Sequence, residues 1–124
     1  MKDAAEYLGY LRALILRSSE VKHWHVVREE IQGSAGLLRY HLSLSNGDEV
    51  EVFERFEIVG GRAEVTKYSF HWQDAAGHLR KRWDNAGHHP EVPTHPHHLH
   101  EGEEGKVLPH HPVNIEDLLA FISG

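Results

Sequence analysis

The stretch RWDNAGHHPEVPTHPHHLHEGEEG, Arg82 to Gly105, carries six of the chain's thirteen histidines. They are His88, His89, His95, His97, His98 and His100, separated by Pro90, Pro93 and Pro96. Imidazole titrates near neutral pH, so it gives and takes protons there, and it is also a common metal ligand. The prolines fix φ at intervals and predict an extended segment. In extended chain, alternate residues point the same way: His95 with His97, and His98 with His100. Two imidazoles on one side suit a metal chelate, or an acid and a base flanking a phosphodiester. The spacing matches neither H-E-x-x-H nor the Cys/His zinc patterns. Long irregular loops in compact domains are functional or disordered. The histidines are interrupted and the chain runs on into a predicted helix, so this is no tag.

The strands that lead into this loop must position it. On Arg62–Gln73, Lys67, Ser69 and His71 alternate with Tyr68, Phe70 and Trp72. On His78–Asp84, Arg80, Arg82 and Asp84 alternate with Leu79, Lys81 and Trp83. The pleat puts each set on its own face, and the strand register decides which sets meet. If the polar sets coincide, His71, Arg80, Arg82 and Asp84 form a charged patch at the mouth of the loop. The alternative is a solvated outer face, normal for an antiparallel sheet. A second feature lies on Glu49–Val59, where Glu54 shares a face with Val50, Val52, Phe56 and Ile58. A carboxylate there needs a partner or suffers a raised pKa; the ordinary reading is a sheet-edge Glu paired with an Arg. His23, His25, His41 and the tryptophans read as structure.

The remaining elements follow from periodicity. Asp3 to Arg17 has the apolar spacing of a helix, with Asp3 and Glu6 as its start. Val21–Ile31 reads as a less regular first strand, ended by Gly33 and Gly36. Leu37–Ser45 alternates well and meets the Asn46-Gly47 hairpin signal. Gly60-Gly61 and Asp74–Gly77 make the next turns. Asn114–Ile122 reads as a short helix capped by Asn114. The prediction is an α+β fold in a single domain, residues 1–124: an antiparallel β-meander of four to five strands with an N-terminal helix and a short C-terminal helix. The His/Pro-rich loop follows the last strand.

Bulk properties limit the function classes. The chain has no cysteine, which removes disulfides and thiolate chemistry and fits a cytoplasmic setting. No apolar run reaches the length of a membrane span, and the N-terminus does not read as a signal peptide. The formal net charge is −6. Residues 1–83 are balanced, and the excess negative charge falls in residues 84–124, where Lys106 stands alone against Asp84, Glu91, Glu101, Glu103, Glu104, Glu116 and Asp117. That argues against duplex binding by bulk phosphate neutralisation. The cationic run Arg80-Lys81-Arg82 stands just before the loop.

The run YSFHWQDAAGHLRKRWDNAGHHPEVPTHPHHLHEGEE resembles the TumE family, the proposed toxin half of small bacterial and archaeal TumE–TumA toxin–antitoxin modules. The resemblance is carried by Tyr68, Phe70 and His71, then Arg82, Trp83, Asp84 and Asn85, then His88, His89 and Pro90, and finally Pro96, His97, His98 and His100. Gly87 stands where many members have proline. The resemblance implies a growth-inhibiting toxin and, as partner, a small helix-turn-helix antitoxin. Basic residues of such a partner would meet the acidic C-terminal segment.

The leading expectation is a metal-independent endoribonuclease with no cofactor and RNA as substrate. Its acid and base come from His88, His89, His97, His98 and His100, with His71 next. Arg80 or Arg82 stabilises charge on the phosphoryl oxygens, and Asp84 orients an imidazole. Trp83 or Tyr68 stacks on a base, with Asn85 beside them as a substrate contact. Two alternatives stay open: a metal-dependent hydrolase or transferase using the same histidines with Asp84 or Glu54, and a binding module without chemistry.

Overall fold

The structure is a computed structural model that describes residues 2–124. Helix α1 spans Ala4–Arg17; the Asp3 side chain caps it by accepting the Glu6 N–H, and Ala4, Tyr7, Leu8, Leu11 and Ile15 are its buried stripe. Seven strands follow: β1 Val21–Gln32, β2 Ala35–Leu44, β3 Glu49–Val59, β4 Arg62–Gln73, β5 Leu79–Asp84, β6 His98–Glu101 and β7 Val107–Pro109. Helix α2, Ile115–Ser123, closes the chain behind a reciprocal Asn114–Asp117 capping box. All seven strands join one sheet in chain order, each antiparallel to the next.

The α+β class and both helices are as expected, but the sheet has seven strands, not four to five. The extra two come from the segment read as irregular. His98–Glu101 pairs with β5, and Val107–Pro109 pairs with His98–His100. These strands are four and three residues long, too short for a period-two signal to stand out among prolines. The segment before β6 is not extended either. Residues 89–97 form successive turns, with hydrogen bonds from Val92 N–H to His89 O, from His95 N–H to Val92 O and from His97 N–H to Thr94 O.

Both helices pack on one face of the sheet. That core holds Leu38, Tyr40, Leu42, Val50, Val52, Phe56, Phe70, Trp83 and Leu99 with Leu8, Leu11, Ile15, Ile115 and Leu118. Each such side chain contributes about 2 kcal/mol of transfer free energy. Gly36 does not break the chain, as expected of it, but lies within β2, where a Cβ would meet Phe56 Cζ at 2.6 Å. The Gly60-Gly61 turn needs glycine for another reason: both residues have positive φ, 57° and 76°.

Glu54 lies on β3, on the helix-facing side, fully buried. Its partner is no arginine. The Tyr7 hydroxyl of α1 donates to Oε1, and Oε2 has no hydrogen-bond partner. Burial pushes the Glu54 carboxyl up to about 7, against a smaller downward pull from Tyr7.

Candidate functional site

The other sheet face is polar. Strand pairing sets Ser69 opposite Asp84 and His71 opposite Arg82, then Arg82 opposite His100 and Asp84 opposite His98. Directly opposed residues share a face. The polar sets therefore coincide across β4, β5 and β6. Towards β2 this face is partly open to solvent, as at His41, which bonds Glu49 and Glu51. At β5 and β6 it is covered by residues 85–97, which fold back across it. Asp84, His98 and His100 are 5%, 2% and 4% exposed.

These side chains form one network. His98 Nε2 lies 3.0 Å from Asp84 Oδ1 and 3.1 Å from His100 Nε2. Arg82 donates through Nε to Asp84 Oδ2 at 3.1 Å and through Nη2 to His100 Nε2 at 3.0 Å. Its Nη1 pairs with Glu104 Oε2 at 2.6 Å. His98 Nδ1 donates to the Pro96 carbonyl at 2.9 Å and His100 Nδ1 to the Glu104 carbonyl at 2.6 Å. A carbonyl only accepts, so both Nδ1 atoms carry hydrogen, and in the neutral form of either ring Nε2 keeps a lone pair. The His100 lone pair accepts from Arg82 Nη2, while His98 Nε2 faces Asp84 Oδ1 and His100 Nε2. That spot between acceptors favours a proton or a metal ion. Burial holds the His100 imidazole below its ordinary pKa, with Arg82 adding to the effect and the Glu104 carbonyl opposing it.

His89 completes the group from the covering loop. Its ring stands edge-on to His98 and His100, with centroids 5.0 and 5.6 Å away, and its Nδ1 lies 3.1 Å from Glu91 Oε1. His88 is exposed at the rim. Arg82, Asp84, Ala86, His88, His89, His98 and His100 line a cavity of about 110 Å³. A larger cavity of about 680 Å³ lies around Trp72, Arg80, Trp83 and Phe121. It holds none of the clustered imidazoles, and we assign the site to the smaller one, where the ionisable groups converge.

Five sequence-derived candidates lie elsewhere. Arg80 does not join Arg82. The β4–β5 register shifts between Trp72 and Gln73, and the Arg80 guanidinium pairs with Asp48 at 2.7 Å over the Trp72 ring. His97 points away from His98; its Nδ1 meets the Tyr68 hydroxyl at 2.9 Å, and burial lowers its pKa. Tyr68 and Trp83 are 3% and 2% exposed, so neither ring offers a free face to a base. Trp83 instead stacks on Phe121 of α2 at 5.3 Å. Asn85 extends the β4 edge pairing: its side chain accepts from Tyr68 N–H and donates to Thr66 O. His71 stands beside Arg82 in register, half-buried.

Sequence reasoning missed Glu104 and Glu91. The signal for Glu104 was its place four residues after His100, across the turn at Gly102, whose φ is 77°. The tight return carries its carbonyl to His100 and its carboxylate to Arg82. Glu91 stands two residues after His89.

A family model described as Toxin TumE matches residues 11–124. No curated protein and no solved structure matches the chain. Among the described residues, no helix is long and apolar enough to cross a membrane.

Proposed function

The chain belongs to the TumE toxin family, a membership that implies an antitoxin partner, and from that premise we propose that it is a ribonuclease acting through Arg82, Asp84, His89, His98 and His100. Its antitoxin, on this reading, is a small helix-turn-helix protein, and the toxin acts in the cytoplasm. What supports the reading is the convergence of a guanidinium, a carboxylate and three imidazoles in one covered pocket.

RNA strand cleavage needs a base for the ribose 2′-hydroxyl, an acid for the leaving 5′-oxygen and positive charge on the phosphoryl oxygens. With Nε2 atoms 3.1 Å apart, His98 and His100 cannot stand on opposite sides of a phosphate. They act together as one unit that would hold the transferable proton, and that proton serves as the acid. His89, with His88 at the rim, supplies the second proton-transfer group. Arg82 takes the phosphoryl oxygens. Its Nη1 now holds Glu104, whose side chain is 55% exposed, and a phosphate oxygen replaces that carboxylate. A cavity of about 110 Å³ admits water but no nucleotide, so residues 85–97 must lift for RNA to enter.

The test is growth arrest by wild type and by His89→Ala, His98→Gln and Arg82→Ala variants, with RNA integrity followed in the arrested cells. The reading expects fragmented RNA with wild type and relief of arrest in the variants. Arrest with intact RNA, unrelieved by any of the three, refutes it.

A further inference from the structure

We propose that His89, His98 and His100 form a binding site for a divalent transition-metal ion, each ring offering Nε2. The assignment shares residues with the ribonuclease reading but rests on different ground, the placement of the ring nitrogens.

In each ring Nδ1 is already engaged by an acceptor. His98 Nδ1 has the Pro96 carbonyl, His100 Nδ1 the Glu104 carbonyl and His89 Nδ1 the Glu91 carboxylate, at 2.9, 2.6 and 3.1 Å. Each Nδ1 therefore carries the ring hydrogen and each Nε2 keeps its lone pair. Metal-ligating histidines are held in this way, the outer nitrogen donating to a carbonyl or carboxylate that fixes tautomer and ring orientation. One ligand nitrogen from each ring lies within 4.8 Å of the others. His98 and His100 Nε2, 3.1 Å apart, match the separation of about 3.3 Å for two nitrogens bound tetrahedrally at about 2.0 Å. His89 brings the third nitrogen from the covering loop, half-buried beside the other two rings.

The surrounding charges favour a cation. Asp84 places Oδ1 3.0 Å from His98 Nε2 and Oδ2 3.8 Å from His100 Nε2, and Glu91 and Glu104 stand behind two of the rings. Arg82 opposes it: Nη2 gives up His100 Nε2 to the ion, while its bonds to Asp84 and Glu104 remain. Nitrogen donors without thiolate suit Zn²⁺, Ni²⁺, Cu²⁺ or Fe²⁺ and not Mg²⁺ or Ca²⁺. Three protein ligands leave a coordination position open, as catalytic and not structural zinc sites do.

The test titrates the metal-free full chain with Co²⁺ and then Zn²⁺. A visible d–d spectrum should saturate at one Co²⁺ per chain, Zn²⁺ should abolish it, and Zn²⁺ should raise the thermal midpoint. Glu91→Ala should weaken binding about tenfold, and His89→Ala, which leaves the sheet untouched, should weaken it further. His78→Ala, at an exposed histidine outside the site, should bind as wild type. Absence of a saturable spectrum overturns the proposal. So does wild-type binding by His89→Ala, which would assign the ion to other histidines. One-to-one binding with intact RNA supports the metal site and refutes only the ribonuclease reading; RNA cleavage by a chain that binds no ion does the reverse.

Discussion

The Nε2 atoms of His98 and His100 lie 3.1 Å apart, although each ring already spends its Nδ1 hydrogen on a backbone carbonyl. Arg82 Nη2 donates to the His100 lone pair, and His98 Nε2, between it and the Asp84 carboxylate, is the point where a proton or metal ion is favoured. The neighbouring charges are arranged for that cation: Arg82 offsets one of the two carboxylates it touches, Asp84 and Glu104, and leaves the other over.

Asp84 is the residue whose loss should be felt most widely. It accepts from Arg82 Nε and the Ala86 N–H and faces His98. Asp84→Asn should cost about 2 kcal/mol of stability, the scale of a charge-assisted buried hydrogen bond, and should abolish growth arrest. Urea unfolding and a growth assay check both parts.

Glu54 gives a pH signature independent of the site. Its folded-state pKa, about 7, lies above the ordinary 4.5. The folded chain thus keeps a proton that the unfolded chain releases across this window, and stability falls as pH rises through it. Above about pH 7 the carboxylate costs up to about 3 kcal/mol. Glu54→Gln removes this dependence, since its carbonyl still accepts from Tyr7. The variant's advantage in urea unfolding should therefore grow between pH 4.5 and 7; parallel curves would contradict it.

Glu104 should act as a competitor for the substrate. Glu104→Ala frees Arg82 Nη1 but keeps the backbone carbonyl that holds His100. Stability should change by less than about 1 kcal/mol, as for exposed pairs. RNA should bind several-fold tighter in filter binding at fixed salt.

Gly36 should tolerate no side chain. A Cβ would sit 2.6 Å from Phe56 Cζ and 2.9 Å from the Glu30 carbonyl. Gly36→Ala should destabilise by about 1–3 kcal/mol, and Phe56→Leu should recover part of that in a double-mutant cycle.

Local signals carried the fold as far as β5. Strands β2, β3 and β4 run 10 to 12 residues with steady alternation between turns containing glycine, so pleat and hairpin chemistry sufficed. Strands β6 and β7 could not be read this way. Two of the buried residues in β6 are the histidines themselves, which mimics a polar loop. The site was legible as a set of residue types, because Arg82, Asp84, His98 and His100 were all candidates, but their union depends on the β5–β6 register. A register shift in β4–β5 moved Arg80 to Asp48, and such slips leave no local mark. Glu54 finds Tyr7 47 residues away, a contact set by how α1 packs. Tyr68 and Trp83, expected as base-stacking rings, are buried; an aromatic ring in a strand suits a base stack and a core equally well.

The most direct test of the assigned site is the rate of RNA strand cleavage by the purified chain, wild type against a His98→Gln variant of unchanged far-UV circular dichroism. The account predicts cleavage by wild type and a loss of at least about 100-fold in the variant. Intact RNA with wild type, or equal rates for the two proteins, would contradict it.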